Sequence, residues 1–100
     1  MKVAIPNAAS KVRACKSVNM LDRFLIAQSI ENIRYDYEPN LGLCGWTFPL
    51  SWYIEIGKTA FNTNDCCDLA STIAHEASHV NFNTEGGARG LECRCFGCSC

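Results

Sequence analysis

The stretch "TIAHEASHVNFNTEGGARGLECRC", Thr72 to Cys95, decides how the rest of the chain is read. It holds both histidines, His75 and His79, with Glu76 directly after the first. This is the H-E-x-x-H pattern, and on a helix it sets two imidazoles one turn apart on the same face. Two rings so placed can point at one ion. Glu76 is rotated by one position and stands beside that ion, where a base acting on a water has to be. A catalytic zinc takes three protein ligands and keeps a fourth position for water, whose pKa it lowers to about 7. Two histidines are not enough, so a third ligand must come from elsewhere. The plain alternative is that both are ordinary residues of an amphipathic helix. The context speaks for the metal: the motif lies mid-helix, with a strand pattern upstream and carboxylates downstream.

Two carboxylates compete for the third position. Glu85 lies six residues after His79, the spacing of H-E-x-x-H-x-x-G-x-x-H sites, but Phe82 stands where those have a turn glycine. Glu92 lies thirteen residues after His79. If the active-site helix ends near Phe82 and an antiparallel one starts near Glu85, a rise of about 1.5 Å per residue brings Glu92 level with the histidines. Ala88 and the glycines Gly86, Gly87 and Gly90 would let the two helices approach closely. Glu92 is therefore the expected ligand and Glu85 the alternative, the other of the two orienting a histidine N–H. Arg89, Tyr53, Tyr35 and Tyr37 are candidates for stabilising an oxyanion, since no third histidine exists to do so.

Outward from the motif, the chain reads as α+β. Asp65 is expected to cap the active-site helix, with Asp68 in its first turn and Asn81 and Asn83 ending it. Thr84 can cap the next helix, along which Glu85, Ala88, Arg89 and Glu92 fall. Residues 18–34 predict an N-terminal helix with Met20, Phe24, Ala27, Ile30 and Ile33 on one face. "DYEPNLGLCG" (36–45) reads as loop. Within "WTFPLSWYIEIG" (46–57), the alternation of Trp52, Ile54 and Ile56 with Tyr53 and Glu55 predicts a strand ending at Gly57, with Pro49 at a turn or edge, and "SWYIEIG" is a candidate to pair with an extended substrate. "KTAFNTN" (58–64) is a connector.

The chain has 100 residues, net charge −1 and 48% hydrophobic residues, which fits one small globular domain over residues 1–100. No basic stripe suggests a nucleic-acid partner, and no apolar run reaches the ~20 residues of a membrane span. "MKVAIPNAASK" is too polar and too broken by proline for a signal-peptide core, so export is expected through another route or a larger parent polypeptide. Eight cysteines in so short a chain read as disulfides and an oxidising compartment, the periplasm of a target cell or the outside. The rival reading is a second metal bound by the four thiolates of "CRCFGCSC".

From "AFNTNDCCDLASTIAHEASH" through "TEGGARGLECRCFGC" the sequence resembles the C-terminal toxin domains of Rhs-type polymorphic proteins. In those, a large repeat-built shell carries a small effector at its tip, often delivered by type VI secretion. The resemblance runs from the strand near Trp52 to the terminus; residues 1–40 add nothing to it. It implies zinc at His75 and His79, Glu76 as general base, a minimal zincin-like fold with a Cys-rich tail, and an antibacterial role with a cognate immunity protein. It departs from better-known zincins in its short spacer, which leaves the third ligand open. The expected function is thus a zinc metallopeptidase acting on protein or peptide. The alternatives are a zinc amidase acting on peptidoglycan and a non-catalytic, disulfide-rich binding module.

Overall fold

In a computed structural model the described residues are 2–98 and 100, with side chains at all of these except 63 and 64. The elements run α1 (Ala4–Ala14), α2 (Met20–Asn32), β1 (Arg34–Glu38), β2 (Gly45–Trp46) and β3 (Tyr53–Gly57). A 3-10 turn (Lys58–Phe61) follows, then a short α3 (Thr63–Cys66), α4 (Leu69–Val80) and α5 (Glu85–Phe96). The fold is mixed α+β, as expected.

Helix α4 is its axis. Ala70, Ser71, Ile73, Ala74, Ala77 and Ser78 are almost wholly buried, and α1, α2, α5 and the sheet all pack on it. Most of these side chains are small, so neighbouring helices come close from several sides. The three-stranded sheet has the order β1-β3-β2, with β1 parallel and β2 antiparallel to β3. Ile54 and Ile56 of β3 enter the same core as Ile73 and Leu91.

Helix α1 falls where the sequence signals little. Pro6 breaks the run, but it sits in the first turn, where no helical partner is lost. Ala8, Ala9 and Val12 then form its buried stripe. In α2, Asn19 caps the helix by accepting from Asp22 N–H. Its predicted apolar face is rotated: Ile26, Ala27 and Ile30 are buried, whereas Met20 is 76% and Phe24 58% exposed. Arg23 takes the place on the inner side and donates to the Arg13 carbonyl at the end of α1. "RYDYE" is a strand rather than the start of a loop, because β3 supplies its main-chain partners over five residues.

The strand expected to end at Gly57 is β3, which begins at Tyr53, and Pro49 lies with Leu50 in a turn; before that turn Gly45–Trp46 forms a separate strand, β2. The Leu50 N–H donates to the Val80 carbonyl and ties that turn to the end of α4. Helix α4 starts three residues later than expected. Asp68, not Asp65, caps it by accepting from Ala70 N–H. Asp65 lies in α3, and Cys67 between the two has φ 60°, a left-handed conformation uncommon outside glycine. Neighbouring cysteines are pulled apart at this point, since Cys66 bonds Cys44 and Cys67 bonds Cys98.

Cys15–Cys95 joins α1 to α5, and Cys93–Cys100 closes the tail. All eight cysteines are paired, so "CRCFGCSC" is a disulfide segment and not a thiolate metal site.

Gly57 is buried, and a Cβ there would overlap the Leu43 carbonyl. Gly57→Ala is expected to lose about 1–3 kcal/mol through overpacking, read as a shift in denaturant midpoint. Gly42→Ala, with nothing within 4 Å, is the matched control and should be neutral or slightly stabilising.

Candidate metal centre

The two imidazoles are held from behind. His75 Nδ1 lies 2.8 Å from Glu92 Oε2, and the Ser71 hydroxyl donates to Glu92 Oε1 at 2.7 Å. His79 Nδ1 donates to the Asn83 carbonyl at 2.9 Å, and the Asn83 amide donates to the Ser78 hydroxyl. A carbonyl and a carboxylate only accept, so each Nδ1 carries the proton and each Nε2 presents a lone pair. The two Nε2 atoms are 3.1 Å apart, and Glu85 Oε1 is 3.0 Å from both. Three acceptors therefore converge on one point with no donor between them. The group His75, His79 and Glu85 can hold a metal ion. The donor chemistry itself requires a cation or an added proton there.

This arrangement exchanges the roles expected of the two glutamates. Glu92 is at the depth of His75, as the helix rise implied, but it engages the back of the ring. The alternative, Glu85, reaches the metal-facing nitrogens. What brings it there is the end of α4. Asn83 N–H donates to the Ser78 carbonyl and Phe82 N–H to the His79 carbonyl, the Schellman pattern of a helix terminus. Phe82, at the position usually given to glycine, has φ 71°. The turn is thus made without its glycine, and Glu85 becomes the first residue of α5. Thr84 caps that helix by accepting from Gly87 N–H at 3.1 Å.

Glu76 is 7% exposed, with Oε2 4.0 Å from His75 Nε2. Gly45 of β2 lies directly against it: a Cβ there would be 3.0 Å from Glu76 Cγ. Burial raises the Glu76 carboxyl to about 6, partly offset by the charges of His75 and His79. For His75, burial disfavours the charged ring, but the Glu92 hydrogen bond and the charges of Glu76, Glu92 and Glu85 outweigh it and raise the pKa. Burial also works against the Glu85 charge, yet His75, His79 and Arg89 together hold its carboxyl below its usual value.

A cleft of about 970 Å³ opens over these groups. The segment from Leu43 to Pro49 forms one wall, while α4 and the start of α5 form the other. Arg89 lines it and donates through Nε to Glu85 Oε2 at 3.1 Å. The expected oxyanion tyrosines are elsewhere. Tyr53 packs against Phe48 and Trp52, Tyr35 donates to the Ile30 carbonyl, and Tyr37 rests on Phe61. Strand β3, expected to pair with substrate, lies between β1 and β2; the strand beside the cleft is β2. Ser71 and Asn83 were not anticipated as supports of the histidines, although Ser71 lies one turn before His75 on the same face. No family model, curated protein or solved structure matches the chain.

Titration with zinc or cobalt(II) separates the two glutamates. Glu85→Ala removes a ligand and should cost more affinity than Glu92→Gln, which should cost about ten- to a hundredfold as loss of an orienting partner. Equal and negligible losses would contradict this assignment. Phe82→Gly should retain metal affinity and leave stability unchanged or higher, because it relieves a left-handed residue that is 65% exposed.

The chelated, metal-free protein should show the Glu76 carboxyl in its pH dependence. Its folded value of about 6 lies above the 4.5 of an ordinary glutamate. The folded state therefore binds that proton more tightly, giving stability that is full below pH 4.5 and lost as pH rises through 6. Glu76→Gln should make the metal-free protein more stable above that window by up to about 2 kcal/mol, measured by thermal melts with chelator.

Proposed function

We propose that the chain is a zinc-dependent metallopeptidase with a minimal zincin-like architecture. The observation that carries this is the convergence of His75 Nε2, His79 Nε2 and Glu85 Oε1 beside a buried carboxylate, Glu76. Two imidazoles and one carboxylate are a donor set used by catalytic zinc, whereas calcium and magnesium prefer oxygen alone. Bound there, zinc supplies water activation and carbonyl polarisation.

The remaining work falls to the chain itself. Glu76 takes a proton from the attacking water as its oxygen bonds to the amide carbon. It then delivers that proton to the nitrogen as the C–N bond breaks. A buried carboxylate beside the site, within reach of the attacking water, can do both. Glu92 and the Asn83 carbonyl keep both rings aimed while charge builds up. Arg89 stands at the cleft edge as a donor toward an oxyanion. Edge strand β2 runs beside Glu76, and an extended peptide laid along it would bring a carbonyl to the site.

The biological setting follows from the resemblance to Rhs-type toxin tips. We propose an antibacterial effector carried by such a shell and held in check by a cognate immunity protein. With four disulfides it is suited to a periplasm or another oxidising space.

Peptide-library digestion by the oxidised, zinc-loaded protein tests the activity, and toxicity on export to a bacterial periplasm tests the role. Glu76→Gln should keep its zinc and lose about 10²–10⁴-fold in rate, with toxicity falling alongside. A variant that stays active would remove Glu76 from the mechanism. Cleavage of peptidoglycan but not of peptides would reassign the substrate.

A further inference from the structure

On the side of α1 and α5 there is a second, shallow cleft of about 340 Å³. The Cys15–Cys95 disulfide lies in it, surrounded by Lys11, Lys16 and Arg94, with no acidic residue in the lining. Lys11 is fixed there by Phe96, whose ring centroid is 5.5 Å from its ammonium. The two cysteines stand at the C-terminal ends of α1 and α5. Each helix end contributes about half a negative charge, against three whole positive ones, so the cleft is net positive.

The contrast with the two disulfides of the metal cleft is electrostatic. Cys44, Cys66 and Cys67 line the metal cleft, in company with Asp65, Glu76 and Glu85. An incoming thiolate is repelled there, and a departing one is disfavoured. In the basic cleft both are favoured, since cations stabilise the thiolate that leaves and attract the one that attacks. Cys95 is the more exposed residue of the pair, partly exposed where Cys15 is 8% exposed.

We propose that this cleft is a thiol-exchange site for an anionic low-molecular-weight thiol of the glutathione class, and that Cys15–Cys95 opens before the two disulfides beside the metal cleft, Cys44–Cys66 and Cys67–Cys98. The thiolate attacks Sγ of Cys95, the Cys95–Cys15 bond breaks, and Cys15 leaves as thiolate. A second thiol molecule attacks the mixed disulfide and releases Cys95. Two thiols are thereby oxidised to one small disulfide while the protein disulfide is reduced to two thiols, taking up their two protons. The exchange releases α1 from α5 and leaves both disulfides beside the metal cleft in place.

The test uses the oxidised full chain with reduced glutathione at neutral pH, acid quench, alkylation and peptide mapping. Cys15 and Cys95 should be modified before Cys44, Cys66, Cys67 and Cys98, with glutathione trapped on Cys95. Salt raised to about 0.5 M should slow the glutathione reaction at least about threefold, yet leave a neutral thiol such as 2-mercaptoethanol within about twofold. The double variant Lys16→Gln/Arg94→Gln should do the same, and mapping of its other three disulfides verifies that it folds. Opening of Cys44–Cys66 or Cys67–Cys98 first, or equal effects of salt and charge removal on the two thiols, would overturn the proposal.

Discussion

The structure depends on one constraint: α4 must be buried on several sides and still present three polar side chains to a cleft. Small residues resolve it. Ala70, Ser71, Ala74, Ala77 and Ser78 let other helices approach, and close packing against a regular helix holds its backbone still. On the remaining side stand His75, Glu76 and His79. A metal site needs ligands placed to within a few tenths of an ångström, and a helix locked in the core provides that more readily than a loop. The small buried side chains also supply the hydroxyls that reach outward, Ser71 to Glu92 and Ser78 to Asn83.

Electrostatics completes the site. Glu76, Glu85 and Glu92 crowd around two imidazoles, with Arg89 on the outer edge. Burial raises the Glu76 pKa, the surrounding carboxylates raise that of His75 against its burial, and their charge favours a bound cation. The net charge of −1 for the whole chain conceals this, since the cations lie elsewhere. Lys11, Lys16 and Arg94 gather on the far side of α5, and Arg13 pairs with Glu31.

A chain of this size has a modest core, and the disulfides add to it. Cys15–Cys95, with a sequence separation of 80, closes the longest loop. In the chain-entropy picture such a loop is worth about 4–5 kcal/mol. The adjacent Cys66 and Cys67 matter more for the site. Through Cys44 and Cys98 they connect the approach to β2 and the tail after α5 to the start of α4. Both cleft walls are thus tied near the same point, in front of the helix that bears the histidines.

Local chemistry made much of this legible. The H-E-x-x-H spacing, Thr84 as a cap, the asparagines that end α4, and the Ile54/Ile56 alternation are all properties of a few neighbouring residues. So was the cysteine count, which implied disulfides without their partners. The rest needed contacts distant in sequence. Strand β1 exists because β3 lies beside it, and the inner face of α2 is set by α1 and α4. Above all, the sequence by itself determined that two histidines and a glutamate would share a helix face, because helical periodicity is local. Only the tertiary structure places Glu85 rather than Glu92 against both Nε2 atoms. That choice rests on which nitrogen of each ring is already occupied and on a left-handed turn at Phe82, where packing overrides the preference for glycine.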